Sequence, residues 1–500
     1  MPFAVRSREL MPLRLLAQIE RHARERPTAP AFSHAITPLG AADLTWSQLQ
    51  SAILAASAEF ADHLDPGSVL LLCSANRAEF AIAFLAGLSA GLCVFPVSPS
   101  LTVAELESAA EETAPLGLVG SEESIAALRH RVPHVWPIAG LTSLPDRSAS
   151  PPAPQGQSAL LLHSSGTTGL PKIVVRSGRS IDAVAQAMAE SVGFRADDRV
   201  LSCVPLCHSY GIEHGLLAPA WAGSSVRLCP GFDLPTLMAE LDAGATLFPG
   251  IPFIYETLAR QATGRRFPQL RRAYSAGGPL PAAVRDAARE HLGITVTQLY
   301  GATEIGSVTY SDPDLPGFDP ASVGRPMRGV EIRILPPDAT SADAPLPPGT
   351  EGHVAIRAAS MMDGYLERDA AVPVADLIDG FFATGDLGRL DAYGNLTLTG
   401  RIKLLLDVAG LKVNPLEVEA ALMLHPAVSS CVVQAIPVTQ TVSRLKAVVV
   451  RTPGHEQISG ETLRQFLRDR LAPYKVPRIY EFRADLPRSA AGKVLRQQVG

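Results

Sequence analysis

Cysteine is sparse in this chain and carries no pairing pattern. Six cysteines, Cys73, Cys93, Cys203, Cys207, Cys229 and Cys431, are spread over 500 residues, and no two form a CxxC pair. That excludes the disulfide framework of a small secreted domain and favours a reduced, cytoplasmic protein. Cys203 and Cys207 stand just before His208, but no second ligand pair follows at zinc spacing, so no metal site is read there. Charge of one sign is lacking as well. The net charge is −5, and no basic excess invites nucleic acid. The N-terminus has charges scattered through residues 1–16 and no long apolar run, so it does not read as a signal peptide. One apolar stretch, residues 80–97, approaches membrane-spanning length. Gly87, Ser89, Gly91 and Pro96 interrupt it, and it reads instead as a buried helix ending near Gly91 followed by a short strand, 92–97. No internal repeat is visible.

What is present points to a packed globular protein. Hydrophobic residues make up 47% and charged residues 19%, as an ordinary interior requires. The length is too great for one core and suggests two to four domains or subdomains. From about residue 200, short apolar runs alternate with helical patterns. Strands are expected at 200–205, 225–229, 246–249, 273–275 and 294–299, the last ending at Tyr300. Helices are expected at 211–222, 234–241, 253–260 and 281–292. Such alternation means a parallel sheet with crossover helices, whose ligand sites lie beyond the strands' C-terminal ends. The loops at 277–278 and 300–304 hold that position.

Two stretches read as linkers, 148–157 and 336–349, the second with five prolines. A third boundary falls near Arg401, where the composition shifts. Residues 404–500 hold 13 Lys and Arg against 8 Asp and Glu, a net of +5, which leaves −10 on the remainder. Two readings stay open: an ordinary surface difference, or a small basic domain that closes over phosphates or an acidic partner.

The strongest local signal is Ser164, Ser165, Gly166, Thr167, Thr168, Gly169, Leu170, Pro171 and Lys172, directly after an apolar strand at 159–162. Hydroxyls and backbone N–H groups can wrap phosphate oxygens, glycine permits close approach, and the lysine adds charge. The spacing is not GxxxxGK[ST], which disfavours an ordinary P-loop. On its own the stretch reads as a linker or as a phosphate loop.

SSGTTGLPK closely resembles the phosphate loop of the adenylate-forming superfamily, which includes acyl- and aryl-CoA synthetases, luciferases and the adenylation domains of peptide synthetases. The resemblance continues in order along the whole chain. Pro205 to Gly211 (PLCHSYG) is similar to the segment bordering the acid pocket, and Ser275 to Leu280 (SAGGPL) to the adenine loop. Tyr300 to Glu304 (YGATE) resembles the YGxTE motif, and Thr384 to Gly388 is TGDLG. Gly400 to Lys403 (GRIK) resembles the hinge segment, which continues through Gly410 to Glu419, and Pro487 to Lys493 resembles the C-terminal lysine motif.

The resemblance implies an α/β fold: a large N-terminal domain of α/β subdomains with a small β-barrel-like part over 1–400, a hinge at 401–403, and a small mobile α+β C-terminal domain over 404–500. It also implies roles. Ser164 to Gly169 and Lys172 hold phosphates; Gly277, Gly278 and Pro279 meet adenine, on which Tyr300 packs beside Gly301. Thr303 and Glu304 act beside the phosphates, with Glu304 and Thr167 holding Mg2+. Asp386 accepts from the ribose hydroxyls and Arg401 donates to them. His208 borders the acid, with Tyr210 near it and Ile305 and Gly306 at the wall. Lys493 reaches the carboxylate and the α-phosphate, Lys403 is the pivot, and Gly410 lines the path of the acceptor thiol. Taken singly, Asp386 also reads as a turn cap, Tyr300 as core and Arg401 as a surface charge.

The sequence departs from the family at three places. Ala358-Ala359 stand where a Gly-Pro pair is common, Phe381 replaces a tryptophan, and the stretch after Pro437 lacks a Gly-Glu pair. The leading expectation is ATP-dependent activation of a fatty or aryl acid to acyl-AMP, then transfer to coenzyme A. The cofactors implied are ATP, Mg2+ and coenzyme A as co-substrate. An acyl-AMP ligase that loads a separate phosphopantetheinyl carrier protein is the alternative. Amino-acid activation is disfavoured, because His208-Ser209-Tyr210 offers no Asp for an α-ammonium. A non-catalytic nucleotide binder is disfavoured because Glu304, Asp386 and Lys493 are all retained. A luciferase-like oxygenase shares the first half-reaction and stays open.

Overall fold

The computed structural model describes residues 13–35, 44–145, 158–164, 172–262, 264–336, 339–367, 370–372, 377–401, 406–408, 411–413, 415–439, 442–487 and 499. The linker expected at 148–157 lies outside them. The chain divides into two compact units. The first takes residues up to 402 apart from two short segments; the second takes 403–500 together with those segments, 100–109 and 165–172.

In the first unit, a nine-stranded sheet carries the expected rhythm. Six of its strands run parallel, in the order Val296–Ala302, Arg272–Ser275, Leu247–Gly250, Arg199–Ser202, Ser225–Leu228 and Pro30–His34. Helices Leu234–Asp242, Pro252–Gln261 and Ala282–Leu292 form crossovers between them. The sheet is not parallel throughout. Leu44–Thr45 closes one edge antiparallel, and Gly306–Tyr310 followed by Arg325–Pro326 closes the other. Pairing with Gly306–Tyr310 carries the Val296–Ala302 strand past Tyr300, where a loop was expected, with a register shift between Tyr300 and Gly301.

An eight-stranded sheet, unforeseen apart from two of its strands, fills the N-terminal part. Its parallel run is Ala159–His163, Cys93–Val97, Val69–Cys73, Gly117–Gly120 and His134–Pro137. Ile173–Ser177, Gly364–Glu367 and Ala370–Val372 extend it antiparallel. The apolar stretch at 80–97 forms the helix Ala78–Ser89 and the strand Cys93–Val97, as expected. All of that helix but Glu79 is buried, which explains why it is apolar on every side. Phe80 and Phe84 are fully buried, each contributing roughly 1.5–3 kcal/mol. Among the described residues no helix is long and apolar enough to cross a membrane.

A third, antiparallel sheet joins Val330–Leu335, Gly352–Ala358, Phe381–Leu390 and Leu377–Ile378, with Leu396–Arg401 beside Phe381–Leu390. The proline-rich stretch 336–349 connects the first two of these strands, which are direct neighbours, so it is a loop within one sheet and not a domain boundary. The Leu346 N–H donates to the Ile334 carbonyl at 2.7 Å, and the Ala342 N–H to Asp379 at 2.7 Å, so the loop is tied down despite its prolines.

The second unit is α+β. Val428–Pro437 and Ser443–Arg451 pair antiparallel, and Ile479–Arg483 joins the latter in parallel. Helices Pro415–Met423 and Gly460–Arg468 cover the sheet through Val418, Leu422, Leu463 and Leu467.

Candidate active site

The strand order of the nine-stranded sheet reverses at Arg199–Ser202. Its successor Ser225–Leu228 lies on one side, and the next strand, Leu247–Gly250, on the other. Open α/β sheets bind ligands in the crevice beyond the carboxyl ends at such a reversal. PLCHSYG leaves the sheet at that point, and SAGGPL begins at the end of a strand two positions along. Gly277 has φ +82° and is exposed, as are Pro279 and, partly, Gly278. Ser275 is buried with its Oγ unpartnered among the described residues. The same holds for Ser164, which heads the candidate phosphate loop. Two orphaned hydroxyls at the mouths of two candidate nucleotide loops fit a polar ligand.

Ser165, Gly166, Thr167, Thr168 and Gly169 lie outside the described residues, as do Lys403, Gly410 and Lys493. Lys172 is exposed and immediately precedes the strand Ile173–Ser177.

The structure joins two motifs that are far apart in sequence. The Tyr300 hydroxyl donates to Asp386 Oδ2 at 2.6 Å, and both residues are buried. Tyr300 also packs against Ile305, Val308 and Ile356. It is therefore a core residue and a neighbour of Asp386 at once. Asp386 faces Arg401 across adjacent antiparallel strands, so TGDLG and the start of the hinge segment are in register. Arg401 is described by its backbone.

Thr303 and Glu304 form a turn after Val296–Ala302, both half-buried. Tyr365 donates its hydroxyl to Glu304 Oε1 at 3.3 Å, and the Met362 N–H donates to the Glu304 carbonyl at 2.8 Å. Burial, then the Glu304 charge, pushes the Tyr365 phenol well up, so it stays a donor. No cluster of three or more His, Cys, Asp or Glu exists among the described residues. One carboxylate, with substrate phosphates supplying further oxygens, is nevertheless chemistry that suits Mg2+.

PLCHSYG runs into an almost unbroken helical stretch. His208 stands, half-buried, at the head of Ser209–Ile212, which passes into a π-helical turn, Glu213–Leu217, and then Ala218–Ala222. Gly211 is required here: a Cβ would lie 1.9 Å from the Pro205 carbonyl oxygen. Ile305 is fully buried and Gly306 begins the next strand.

The motifs gave no warning of what lies beside this helix. Arg176 and Glu213 form a buried ion pair. Arg176 Nε donates to Ser180 Oγ at 3.0 Å. Glu213 accepts from Ser209 Oγ at 2.8 Å, Ser307 Oγ at 2.6 Å and the Ser307 N–H at 2.9 Å. His214, also buried, pairs with the Tyr274 hydroxyl at 3.0 Å and Ser307 Oγ at 2.9 Å.

The chain is similar to known proteins over most of its length. The model of the AMP-binding enzymes matches residues 19–366, and that of the AMP-binding enzyme C-terminal domain matches 417–493. The chain belongs to the AMP-binding enzymes. A probable CoA ligase of Humulus lupulus is 31% identical over 372 residues, 68% of this chain and 60% of that one. Feruloyl-CoA synthase of an Amycolatopsis species is 29% identical over 490 residues, 96% of this chain and 97% of that one. The structure of a double mutant of o-succinylbenzoate CoA synthetase from Bacillus subtilis superposes with a TM-score of 0.86 at 25% identity, covering 98% of each chain. This AMP-binding enzyme is accordingly an AMP-forming acid–CoA ligase. It activates a carboxylic acid as the acyl-adenylate with ATP, then forms the CoA thioester.

Proposed function

We propose that the acid has an uncharged tail, and that the motif residues act as follows. The acid carboxylate attacks the α-phosphorus of ATP and displaces pyrophosphate. Lys172 and Lys493 stabilise the negative charge that gathers on the phosphates and the attacking oxygen. Glu304 and Thr167 would hold Mg2+, which when bound neutralises phosphate charge. Tyr300 packs on adenine while its hydroxyl steadies Asp386. Asp386 in turn accepts from the ribose hydroxyls, and Arg401 donates to them. His208 borders the acid. In the second half-reaction the CoA thiol attacks the carbonyl carbon of the mixed anhydride and AMP leaves. Six buried cysteines, none in a disulfide, support a reducing, cytoplasmic setting.

The observation that carries the choice of acid is the Arg176–Glu213 pair. A distal carboxylate on the acid would want the Arg176 charge, and an α-ammonium would want the Glu213 charge. Each neutralises the other, and the remaining Glu213 acceptor sites are taken by Ser209 and Ser307, while Arg176 Nη2 has no partner among the described residues.

Acid-dependent ATP–pyrophosphate exchange across aliphatic acids, aryl acids, dicarboxylic acids and α-amino acids tests this. The best uncharged-tail acid should exceed any charged-tail acid by at least about tenfold in kcat/KM, or 1.4 kcal/mol. A dicarboxylic or α-amino acid as the best substrate would overturn it. Repeating the assay with coenzyme A and with a phosphopantetheinyl carrier protein tests the acceptor, and coenzyme A should give the faster AMP release.

A further inference from the structure

The crevice at the strand-order reversal is not open to full depth. Tyr210 reaches across it from the helix. Its hydroxyl donates to the Gly250 carbonyl at 2.9 Å and lies 3.4 Å from that of Tyr274, at the ends of two adjacent parallel strands. The Tyr210 ring stands edge-on to His214 with centroids 4.5 Å apart. His214 leans on Tyr274 at 5.3 Å, and Tyr274 meets Tyr310 edge-on at 5.8 Å.

The hydrogen bonds fix the proton positions in this stack. Ser307 Oγ donates to Glu213, so its oxygen accepts from His214 Nε2–H. His214 Nδ1 is then the acceptor for the Tyr274 hydroxyl. The histidine is thus a neutral ring with a single tautomer, and burial holds its pKa down to about 3. The Arg176–Glu213 pair braces the arrangement from behind. Among the described residues only Arg176 Nη2 and the Tyr310 hydroxyl of this arrangement lack a partner, and displacing His214 strands the groups bonded to it at roughly 1–3 kcal/mol each.

We propose that Tyr210, His214 and Tyr274 form the floor of the acid site and restrict this enzyme to compact acids. This rests on the reading of the chain as an acid–CoA ligase whose acid lies in the switch-point crevice. A long acyl tail has to pass through the stack, and interiors packed at crystal density do not yield that volume without breaking the bonds described. His214 is the deciding residue. It contacts both tyrosine rings, and shortening it leaves a void in line with the crevice.

The test is kcat/KM in ATP–pyrophosphate exchange for straight-chain acids from acetate to dodecanoate, in the wild type and in His214→Ala. The wild type should work best at the short end of the series. His214→Ala should move the optimum to longer acids and change the long-to-short ratio by at least about tenfold, the smaller effect of a single methylene in a pocket. Wild-type use of dodecanoate equal to its best short acid would overturn the proposal, and so would an unchanged length profile in a folded variant. Ser307→Ala removes two bonds but no ring, and should keep the wild-type order of acids, which a merely destabilised network would not. His214→Ser carries the same test if His214→Ala does not fold, and the wild-type profile decides if neither folds. Absence of exchange with every acid in the wild type would instead reject the ligase reading itself.

Discussion

Arg176 has no exposed surface, and its charge is met by Glu213, which is equally buried. Removing one partner of such a pair leaves an uncompensated charge in the interior, which costs about 3–5 kcal/mol. Replacing both by apolar residues of similar size removes that cost. Arg176→Met alone should therefore lower the unfolding midpoint in urea sharply, and Arg176→Met with Glu213→Leu should recover most of the loss. A double variant as unstable as the single would show that the pair is not the dominant contact. These residues belong to no motif, so the motif argument passed over them. The available signal was a charge inside an otherwise apolar element: Arg176 within IVVRS, and Glu213-His214 within GIEHGLL. Tyr300 and Asp386 were legible as motif residues. Their mutual hydrogen bond was not, because it joins positions 86 apart.

The element that most shapes the site is the helix leaving PLCHSYG. Its π-helical turn carries Glu213 and His214, and π-bulges are frequent at functional sites. Its entrance depends on Gly211, whose missing side chain lets the first turn lie on the Pro205 carbonyl. Gly211→Ala must push the helix or that carbonyl aside, which in a packed interior costs typically 1–3 kcal/mol. Acid-dependent exchange should fall by at least about tenfold with a smaller change in the KM for ATP. Unchanged exchange would mean that the turn moves freely and does not position the acid site. The alternation of strand and helix from residue 199 onward was legible because crossover helices separate short apolar runs. The antiparallel edges were not, since Gly306–Tyr310 looks the same in sequence whichever way it pairs. Five prolines suggested a boundary at 336–349, yet tertiary hydrogen bonds hold that loop within one sheet. The N-terminal sheet was largely missed because runs such as VLLLC and GLVG, buried on both faces, lack the alternation that marks a half-exposed strand.

At the scale of the molecule, two half-reactions are made at one acyl carbon, and the chain divides into two compact units. Residues 404–500, all but the first residue of the smaller unit's main segment, carry a net charge of +5 against −10 on the rest. We propose that Lys493 acts in adenylation alone, with Lys403 as pivot and Gly410 beside the acceptor thiol. Lys403→Pro restricts φ at the pivot, and Gly410→Leu narrows the thiol's path. Both should spare pyrophosphate exchange and slow thioester formation, and rapid-quench assays of the separate half-reactions would show it. Normal thioester rates in both would remove the case for a moving unit. The most direct measurement of the central claim is the same pair of assays on Lys493→Ala. The account predicts that acyl-AMP formation from acid and ATP falls by at least about a hundredfold, or 2.7 kcal/mol, while CoA thioester formation from supplied acyl-AMP stays near the wild-type rate. Equal loss of both half-reactions, or of neither, would contradict it.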